Sequence, residues 1–149
     1  MLVAIQLVLI GLLVLLPAQA AWEVPSPLAR ASLLGEALGI VIMVIGGVAL
    51  GHGLTAVPLP NQHAQLRTAG LYRYVRHPIY SGLLLFAVSR AAASASWWTA
   101  GCMVALVSLI TVKAWWEERH LAVRFPEYAD YRNRTPRFVP GWRKGRRAG

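Results

Sequence analysis

The fourth apolar run of this chain decides its fold class; it spans residues 97–112 and reads WWTAGCMVALVSLITV. The run carries no charge, and tryptophans flank it: Trp97 and Trp98 at its start, and Trp115 and Trp116 just beyond its end. Tryptophan is enriched where membrane helices meet the headgroups. With its flanking residues the run approaches the roughly 20 residues needed to cross a bilayer. We therefore predict a transmembrane helix here.

Three more apolar runs precede it, at Leu2–Leu16, Leu33–Leu50 and Ile79–Ala95. Of the 149 residues, 56% are hydrophobic and only 14% are charged, whereas soluble domains usually carry about 25% charged residues. A soluble helical bundle is the alternative, but it would have to bury four almost uncharged helices that are not amphipathic. We predict an all-α integral membrane protein with about four transmembrane helices and a cytoplasmic C-terminal helical cap.

The basic residues predict the orientation of these helices. With four spans, thirteen of the fifteen Lys and Arg residues fall on the side of both termini, and only Arg30 and Arg90 lie opposite. The positive-inside rule then places both termini of a multi-pass protein in the cytoplasm. We expect the last basic residues to bind anionic lipid headgroups; these are Arg143, Lys144, Arg146 and Arg147. No nucleic-acid-binding module accompanies the charge, so no nucleic acid is expected.

The first run has a second interpretation. Ala18-Gln19-Ala20 resembles a signal-peptidase site that follows an apolar core, but no Lys or Arg precedes that core. We favour a retained helix. Cleavage would leave three spans with the same orientation.

Glycines predict close packing of the second run. Small residues four apart let two helices approach closely in lipid. They fall on one helical stripe at Gly35, Gly39, Gly47 and Gly51. We assign this stripe to packing and not to chemistry.

The first polar segment that could carry a binding or catalytic function is residues 66–82, LRTAGLYRYVRHPIYSG. Pro78 suits the first turn of a helix, because its missing N–H costs nothing there. His77 would then lie at the N-terminal end of a helix, where the free backbone N–H groups attract an anion. The alternative is a juxtamembrane anchor, and for some side chains of the segment we prefer it: Arg67, Arg73 and Tyr74.

The second polar segment, residues 113–140, continues the fourth helix beyond the membrane. Glu117 and Glu118 are adjacent there, and Lys113 lies one helical turn before Glu117. A positively charged functional partner would explain two carboxylates close to a negative leaflet. The alternative is ordinary ion pairing with Lys113, Arg119 or Arg124. Pro126 interrupts the helix, and we expect an amphipathic cap after it that uses Tyr128, Tyr131, Phe138 and Trp142.

Two motifs together resemble a known family. G-L-Y-x3-R-H-P-I-Y-S-G spans Gly70 to Gly82, and E-E-x2-L-x3-F-x2-Y-x2-Y followed by R-F-x-P spans Glu117 to Pro140. This pattern resembles the isoprenylcysteine carboxyl methyltransferase family and is similar to the related phospholipid N-methyltransferases. The resemblance covers residues 64–140, about half of the chain.

The resemblance implies an S-adenosylmethionine-dependent methyltransferase that acts on a lipophilic acceptor at the cytoplasmic membrane face. The reaction would be carboxyl O-methylation or N-methylation of a lipid or amine. By resemblance, the cofactor is held by Leu66, Tyr72, His77, Pro78, Ile79, Tyr80 and Glu117. Lys113 falls where the eukaryotic enzymes have an arginine near the substrate, although lysine lacks the bidentate fork. An amine or hydroxyl acceptor needs a general base, for which His77 and Glu118 are the candidates.

We therefore predict a single domain, 1–149. It comprises two N-terminal helices in 1–55, a cofactor-binding core in 64–140 and a basic tail in 141–149. No nucleotide-binding glycine motif is present. No histidine spacing typical of metal sites is present either, so no metal is expected. Two alternatives are an NADPH-dependent reductase resembling the membrane steroid 5α-reductases and a non-catalytic membrane adaptor. The reductases prefer asparagine where this chain has Ile79.

Overall fold

The computed structural model describes residues 2–19, 21–51 and 66–141, and within these ranges all regular structure is helical. The elements are α1 (Leu2–Leu15), α2 (Ser26–Leu50), a short 3₁₀ helix (Gly70–Arg73), α3 (Pro78–Ser94), α4 (Trp97–Arg124) and α5 (Tyr128–Arg134). The predicted all-α class is confirmed. The four basic residues predicted to bind lipid headgroups lie outside the described residues: Arg143, Lys144, Arg146 and Arg147.

Two of the described helices are long and apolar enough to cross a membrane, namely α2 and α4. Their 25 and 28 residues correspond to about 38 and 42 Å at 1.5 Å per residue, against about 30 Å of hydrocarbon. Helices α1 and α3 have 14 and 17 residues, or about 21 and 26 Å. Four membrane spans therefore stay a prediction.

The core lies where α1, α3 and α4 meet, and every member is aliphatic. Its side chains are at most 3% exposed, and they are Leu13, Leu83, Ala87, Leu106 and Ile110. Helix α2 packs on the other face of α3 and leaves its outer face bare. Leu33, Leu34 and Val48 are all more than two thirds exposed on that face, as expected of side chains in contact with lipid.

Glycines bring α2 and α3 into backbone contact. A Cβ on Gly39 would stand 2.6 Å from the carbonyl oxygen of Gly82, and Gly35 faces Ser89 just as closely. A third contact is made by Gly46, which packs on Ile79, whereas nothing lies within 4 Å of the Cβ position of the predicted Gly51. The structure thus adds Gly46 to the packed face and leaves Gly51 outside it, because the helix presents residue 46 to α3 two turns after residue 39.

The turn between α3 and α4 has only two residues. Ala95 adopts the left-handed conformation at φ 45° and ends α3. The side chain of Ser96 then accepts a hydrogen bond from the N–H of Thr99 at 3.4 Å, which is the N-cap of α4. Because the turn is so short, α3 and α4 are antiparallel neighbours.

The segment after α5 returns to the start of α3. The N–H of Arg76 donates to the carbonyl of Pro136 at 2.9 Å, and the N–H of His77 donates to the carbonyl of Arg137 at 3.2 Å. The Ser81 hydroxyl donates to the carbonyl of Phe138 at 2.7 Å. Residues 135–138, which we call the C-terminal strap, thereby cover the N-terminal end of α3.

We expect Gly39→Val to destabilise the protein by about 1–3 kcal/mol or more, because the new side chain would meet backbone atoms that cannot move aside. Gly11→Val is the matched control, since nothing lies within 4 Å of the Cβ position of that α1 glycine. The measurement is the thermal unfolding midpoint in detergent, at about 2–4 °C per kcal/mol. Equal midpoints for the two variants would contradict the α2–α3 packing.

Candidate active site

His77 is the N-cap residue of α3, and local sequence fixes its position. Pro78 occupies the first helical position, which disfavours a helical conformation for the residue before it; His77 has φ −128° and ψ 66°. Its side chain is buried. The C-terminal strap binds its backbone N–H, so this amide is already satisfied by protein.

The Glu118 carboxylate lies at the centre of a buried charge cluster and is only 5% exposed. Arg137 binds both of its oxygens, with Nε at 2.9 Å from Oε1 and Nη2 at 2.7 Å from Oε2. Arg76 binds Oε1 through Nε at 3.2 Å and Nη2 at 3.0 Å. The His77 Nε2 atom lies 3.1 Å from the same oxygen. Since a carboxylate accepts, Nε2 carries the proton of this bond.

These contacts make Arg76 and Arg137 the clamps of the cluster. The remaining nitrogen of Arg76 donates to the carbonyls of Arg132 and Thr135, at 2.9 and 3.0 Å. Arg137 belongs to the C-terminal strap, and its hydrogen bonds to Glu118 raise the pKa of its guanidinium. The two arginines therefore join α3, α4 and the strap around one carboxylate.

Glu117 lies on the other side of the His77 ring. Its Oε1 accepts a 2.5 Å hydrogen bond from the Tyr80 hydroxyl, and its Oε2 lies 3.7 Å from His77 Nδ1. The rings of His77 and Tyr80 stack with centroids 5.3 Å apart. The Glu117 side chain is 19% exposed, so unlike Glu118 it remains accessible to a ligand.

Lys113 lies one turn before Glu117 and is buried in α4. Its ammonium donates to the amide oxygen of Gln6 in α1 at 3.0 Å and stands 5.3 Å from the centre of the Tyr80 ring. The candidate site therefore extends from α4 across to α1.

Tyrosines hold the 3₁₀ helix against this cluster. The Tyr131 hydroxyl of α5 donates to the carbonyl of Tyr72, and the Tyr72 hydroxyl reaches the carbonyl of Gly46 at 3.4 Å. Burial raises the pKa of both hydroxyls to about 12. Both tyrosines thus stay protonated donors at physiological pH, and they tie α5, the 3₁₀ helix and α2 together.

The structure brings most of the predicted site residues into one place. His77, Tyr80, Glu117 and Glu118 contact one another, and Lys113 lies beside Tyr80. The other predicted cofactor residues are apolar or lie at the edge: Tyr72 contacts α2, Pro78 is fully buried, Ile79 packs on Gly46, and Leu66 is half-buried at the start of the described segment 66–141.

One alternative for the charges and one prediction for the aromatic cap need correction. Glu118 pairs with Arg76 and Arg137, and not with the sequence neighbours Lys113 and Arg119; Arg119 stacks over the ring of Trp115 instead. Two of the four aromatic residues of the predicted surface cap turn inward, and Trp142 lies outside the described residues. Tyr128 and Tyr131 are buried against the protein.

Sequence reasoning missed Gln6, Arg76 and Arg137 as site residues. Gln6 is the only polar side chain of α1, which is a signal in itself. Arg137 stood in the R-F-x-P motif without a role. Its contact with Glu118 depends on the path of the chain back across α3, which no local pattern specifies. No group of three or more His, Cys, Asp or Glu within the described ranges can hold a metal ion.

Comparison with known proteins assigns the chain to a family. A family model described as phospholipid methyltransferase matches residues 31–128. The chain belongs to the phospholipid methyltransferase family. The matched range contains His77, Glu117 and Glu118 but neither Gln6 nor Arg137. No curated protein and no solved structure matches the chain.

Family membership bears out part of the prediction from sequence. The protein is of a methyltransferase type, and its two long apolar helices agree with a membrane protein. Methyltransferases of this family generally use S-adenosylmethionine. The kinship with phospholipid methyltransferases is confirmed, and the narrower resemblance to isoprenylcysteine carboxyl methyltransferases stays a prediction.

We expect Glu118→Gln to destabilise the protein by about 3–5 kcal/mol, because it leaves two guanidinium groups facing each other without a buried counter-charge. Glu127→Gln, at an exposed carboxylate on the approach to α5, is the control and should change little. The measurement is thermal unfolding of the purified protein. A Glu118→Gln variant as stable as Glu127→Gln would contradict the role of Glu118 as the buried counter-charge of the two arginines.

Proposed function

We propose that this protein is an S-adenosylmethionine-dependent methyltransferase acting on a lipophilic acceptor at the cytoplasmic face of a membrane. The observation that carries the proposal is the His77, Tyr80 and Glu117 cluster, set at one end of a membrane-length helix in a chain of a methyltransferase family. We also propose four spans, cytoplasmic termini and a basic tail on anionic lipid, as the charge distribution predicts.

The residues present fit the cofactor. S-adenosylmethionine supplies an electrophilic methyl group on a sulfonium, together with an ammonium and a ribose diol. Glu117 keeps one oxygen free of its Tyr80 hydrogen bond, and that oxygen can accept from the diol or the ammonium. The Tyr80 face suits a sulfonium by cation–π attraction. We propose that Leu66, Tyr72, Pro78 and Ile79 shape the same site.

The cofactor's own carboxylate has two candidate positions. At the predicted site at the start of α3, the C-terminal strap already accepts from the amides of Arg76 and His77, so only the first-turn amides of the helix could serve an anion there. His77 also lies between two carboxylates, which repel a third anion. Arg137 is 31% exposed and has one nitrogen outside its contacts with Glu118. We therefore propose Arg137, with His77 nearby, for the cofactor carboxylate.

Glu118 is better suited to orient His77 than to act as the base. Each of its oxygens already accepts from arginine, whereas the hydrogen bond to His77 Nε2 leaves Nδ1 directed toward Glu117. A carboxylate that fixes a histidine tautomer is the arrangement found in other base-assisted active sites. We propose His77 as the general base and Glu118 as its positioning residue.

The presence of a base favours an amine acceptor. A carboxylate acceptor is already nucleophilic and needs no proton removed, whereas an ammonium must lose a proton before it attacks. N-methylation of an amine-bearing lipid therefore uses every part of the site, and O-methylation does not use His77. We propose Lys113 for an anionic group of that acceptor, because its ammonium lies one turn from Glu117.

We expect Glu117→Gln to weaken binding of S-adenosylhomocysteine about 10- to 100-fold, because a charged hydrogen-bond acceptor is lost. Glu127→Gln provides the matched control and should bind as the natural protein does. The measurement is calorimetric titration of the purified protein, with an NADPH titration beside it. Binding of NADPH in place of S-adenosylhomocysteine would support the reductase alternative and refute the proposal.

We expect His77→Ala to lower turnover at least about 100-fold, the usual contribution of a general base, and added imidazole to restore part of the rate. The assay follows transfer of a labelled methyl group to vesicles of phosphatidylethanolamine. Arg73→Ala is the control, because Arg73 is exposed on the nearby 3₁₀ helix and outside the cluster. Unchanged turnover in His77→Ala would remove the base from the mechanism.

A further inference from the structure

The connector between α1 and α2 is fastened to the turn between α3 and α4. The N–H of Gln19 donates to the carbonyl of Ser94 at 3.3 Å, and the N–H of Ala21 donates to the carbonyl of Ala95 at 2.9 Å. The Ser96 hydroxyl also donates to the side-chain oxygen of Gln19 at 3.0 Å. These hydrogen bonds hold the described part of the connector in a defined position against the C-terminal end of α3.

A concave site lies between this connector and the last turn of α3. Its volume is about 700 Å³, within the range of small-molecule sites. Trp22 and Glu23 border it, and the rest of its described lining is alanine, valine and one serine. Helix α3 begins at the candidate active site and ends here, and its 17 residues correspond to about 26 Å. The two sites are therefore separate.

Glu23 gives this concave site a negative charge. It is the one charged residue among the described residues that line the site. Its carboxylate is exposed, and it takes part in none of the ion pairs or hydrogen bonds within residues 2–19, 21–51 and 66–141. A carboxylate without an ion-pair partner is available to a cation from outside the protein.

Trp22 adds an aromatic wall beside that carboxylate. Its side chain is half-buried and packs edge-to-face with Trp97, with the ring centroids 4.9 Å apart and the planes at 65°. This contact fixes the orientation of Trp22 in a segment without regular secondary structure. The face of a tryptophan ring attracts cations, and quaternary ammonium ligands are recognised in this way.

We propose that this concave site binds a quaternary ammonium group, with its charge at Glu23 and its alkyl groups against Trp22 and the alanines of the lining. A calcium or magnesium ion fits less well, because these ions require about six oxygen ligands and the described lining provides one carboxylate. Binding here is independent of the proposed function, because His77 lies at the opposite end of α3.

The test uses protein labelled with fluorotryptophan, in a maltoside detergent and a phosphate buffer without organic amines. The fluorine resonance of Trp22 is the one that is missing from Trp22→Phe. We expect choline to shift this resonance saturably. Sodium at the same ionic strength should leave it almost unchanged, and so should a neutral analogue of choline in which carbon replaces the nitrogen, because neither offers an alkylated positive charge.

Two matched pairs of variants separate the charge from the space. We expect Glu23→Gln to weaken choline binding about fivefold, the effect of losing an exposed charge pair. Glu127→Gln, at an exposed carboxylate next to α5, should leave it unchanged. Ala93→Leu narrows the concave site and should abolish the saturable shift. Ala122→Leu places the same side chain on an exposed part of α4 and should have no effect.

Two lipid environments identify the source of the ammonium group. In nanodiscs of phosphatidylcholine, the headgroups of the bilayer compete with added choline, whereas nanodiscs of a neutral glycolipid contain no such headgroup. Weaker choline binding in phosphatidylcholine supports a lipid headgroup as the ligand. Equal choline binding in both supports a free organic cation.

Three outcomes would overturn the proposal. One is an equal shift by choline and by its neutral analogue, which indicates an apolar cavity that does not recognise charge. Another is an equal effect of Glu23→Gln and Glu127→Gln, which indicates general attraction to exposed carboxylates. The third is a parallel shift of all the tryptophan resonances, which indicates an effect of salt or detergent. Failure here leaves the proposed function intact, because S-adenosylhomocysteine binding is measured separately and should be unchanged in Glu23→Gln.

Discussion

The buried ion-pair cluster around the Glu118 carboxylate is the interaction on which the rest of the structure depends. Removing a charge from water is costly unless other charges and hydrogen bonds compensate it, and here Arg76 and Arg137 do so from two different parts of the chain. The compensation fixes the geometry. α3, α4 and the C-terminal strap must meet at one point, and His77 is held between them with a defined tautomer.

This arrangement gives the two adjacent glutamates different roles. Both are on α4 and face the same histidine, but Glu118 is enclosed by arginine and Glu117 shares its charge only with a tyrosine hydroxyl and a more distant imidazole. The enclosed carboxylate stabilises and orients, and the open one is available to a ligand. Neighbours in sequence thus take different roles because a helix turns successive side chains by about 100°.

The membrane explains why the rest of the site is assembled from helix ends and small residues. Helices in lipid gain little stability from burying apolar side chains against each other. Close contact between their backbones stabilises the helix packing instead. Gly39 and Gly82 bring α2 onto α3 two turns from the point where the Tyr72 hydroxyl reaches the carbonyl of Gly46. On the other side, α1 contributes Gln6, whose amide oxygen accepts from the Lys113 ammonium.

The sequence by itself determined the helical class, the approximate position of each apolar helix and most members of the residue cluster at the candidate site. These follow from local composition and from motifs such as R-H-P-I-Y. Tertiary structure alone decided which partner each charge takes: Arg137 for Glu118 and Gln6 for Lys113. It also decided that Gly46 lies on the face packed against α3. The reason is physical. Helical periodicity is a local property, whereas an ion pair between residues far apart in sequence depends on how the helices cross and where the chain returns.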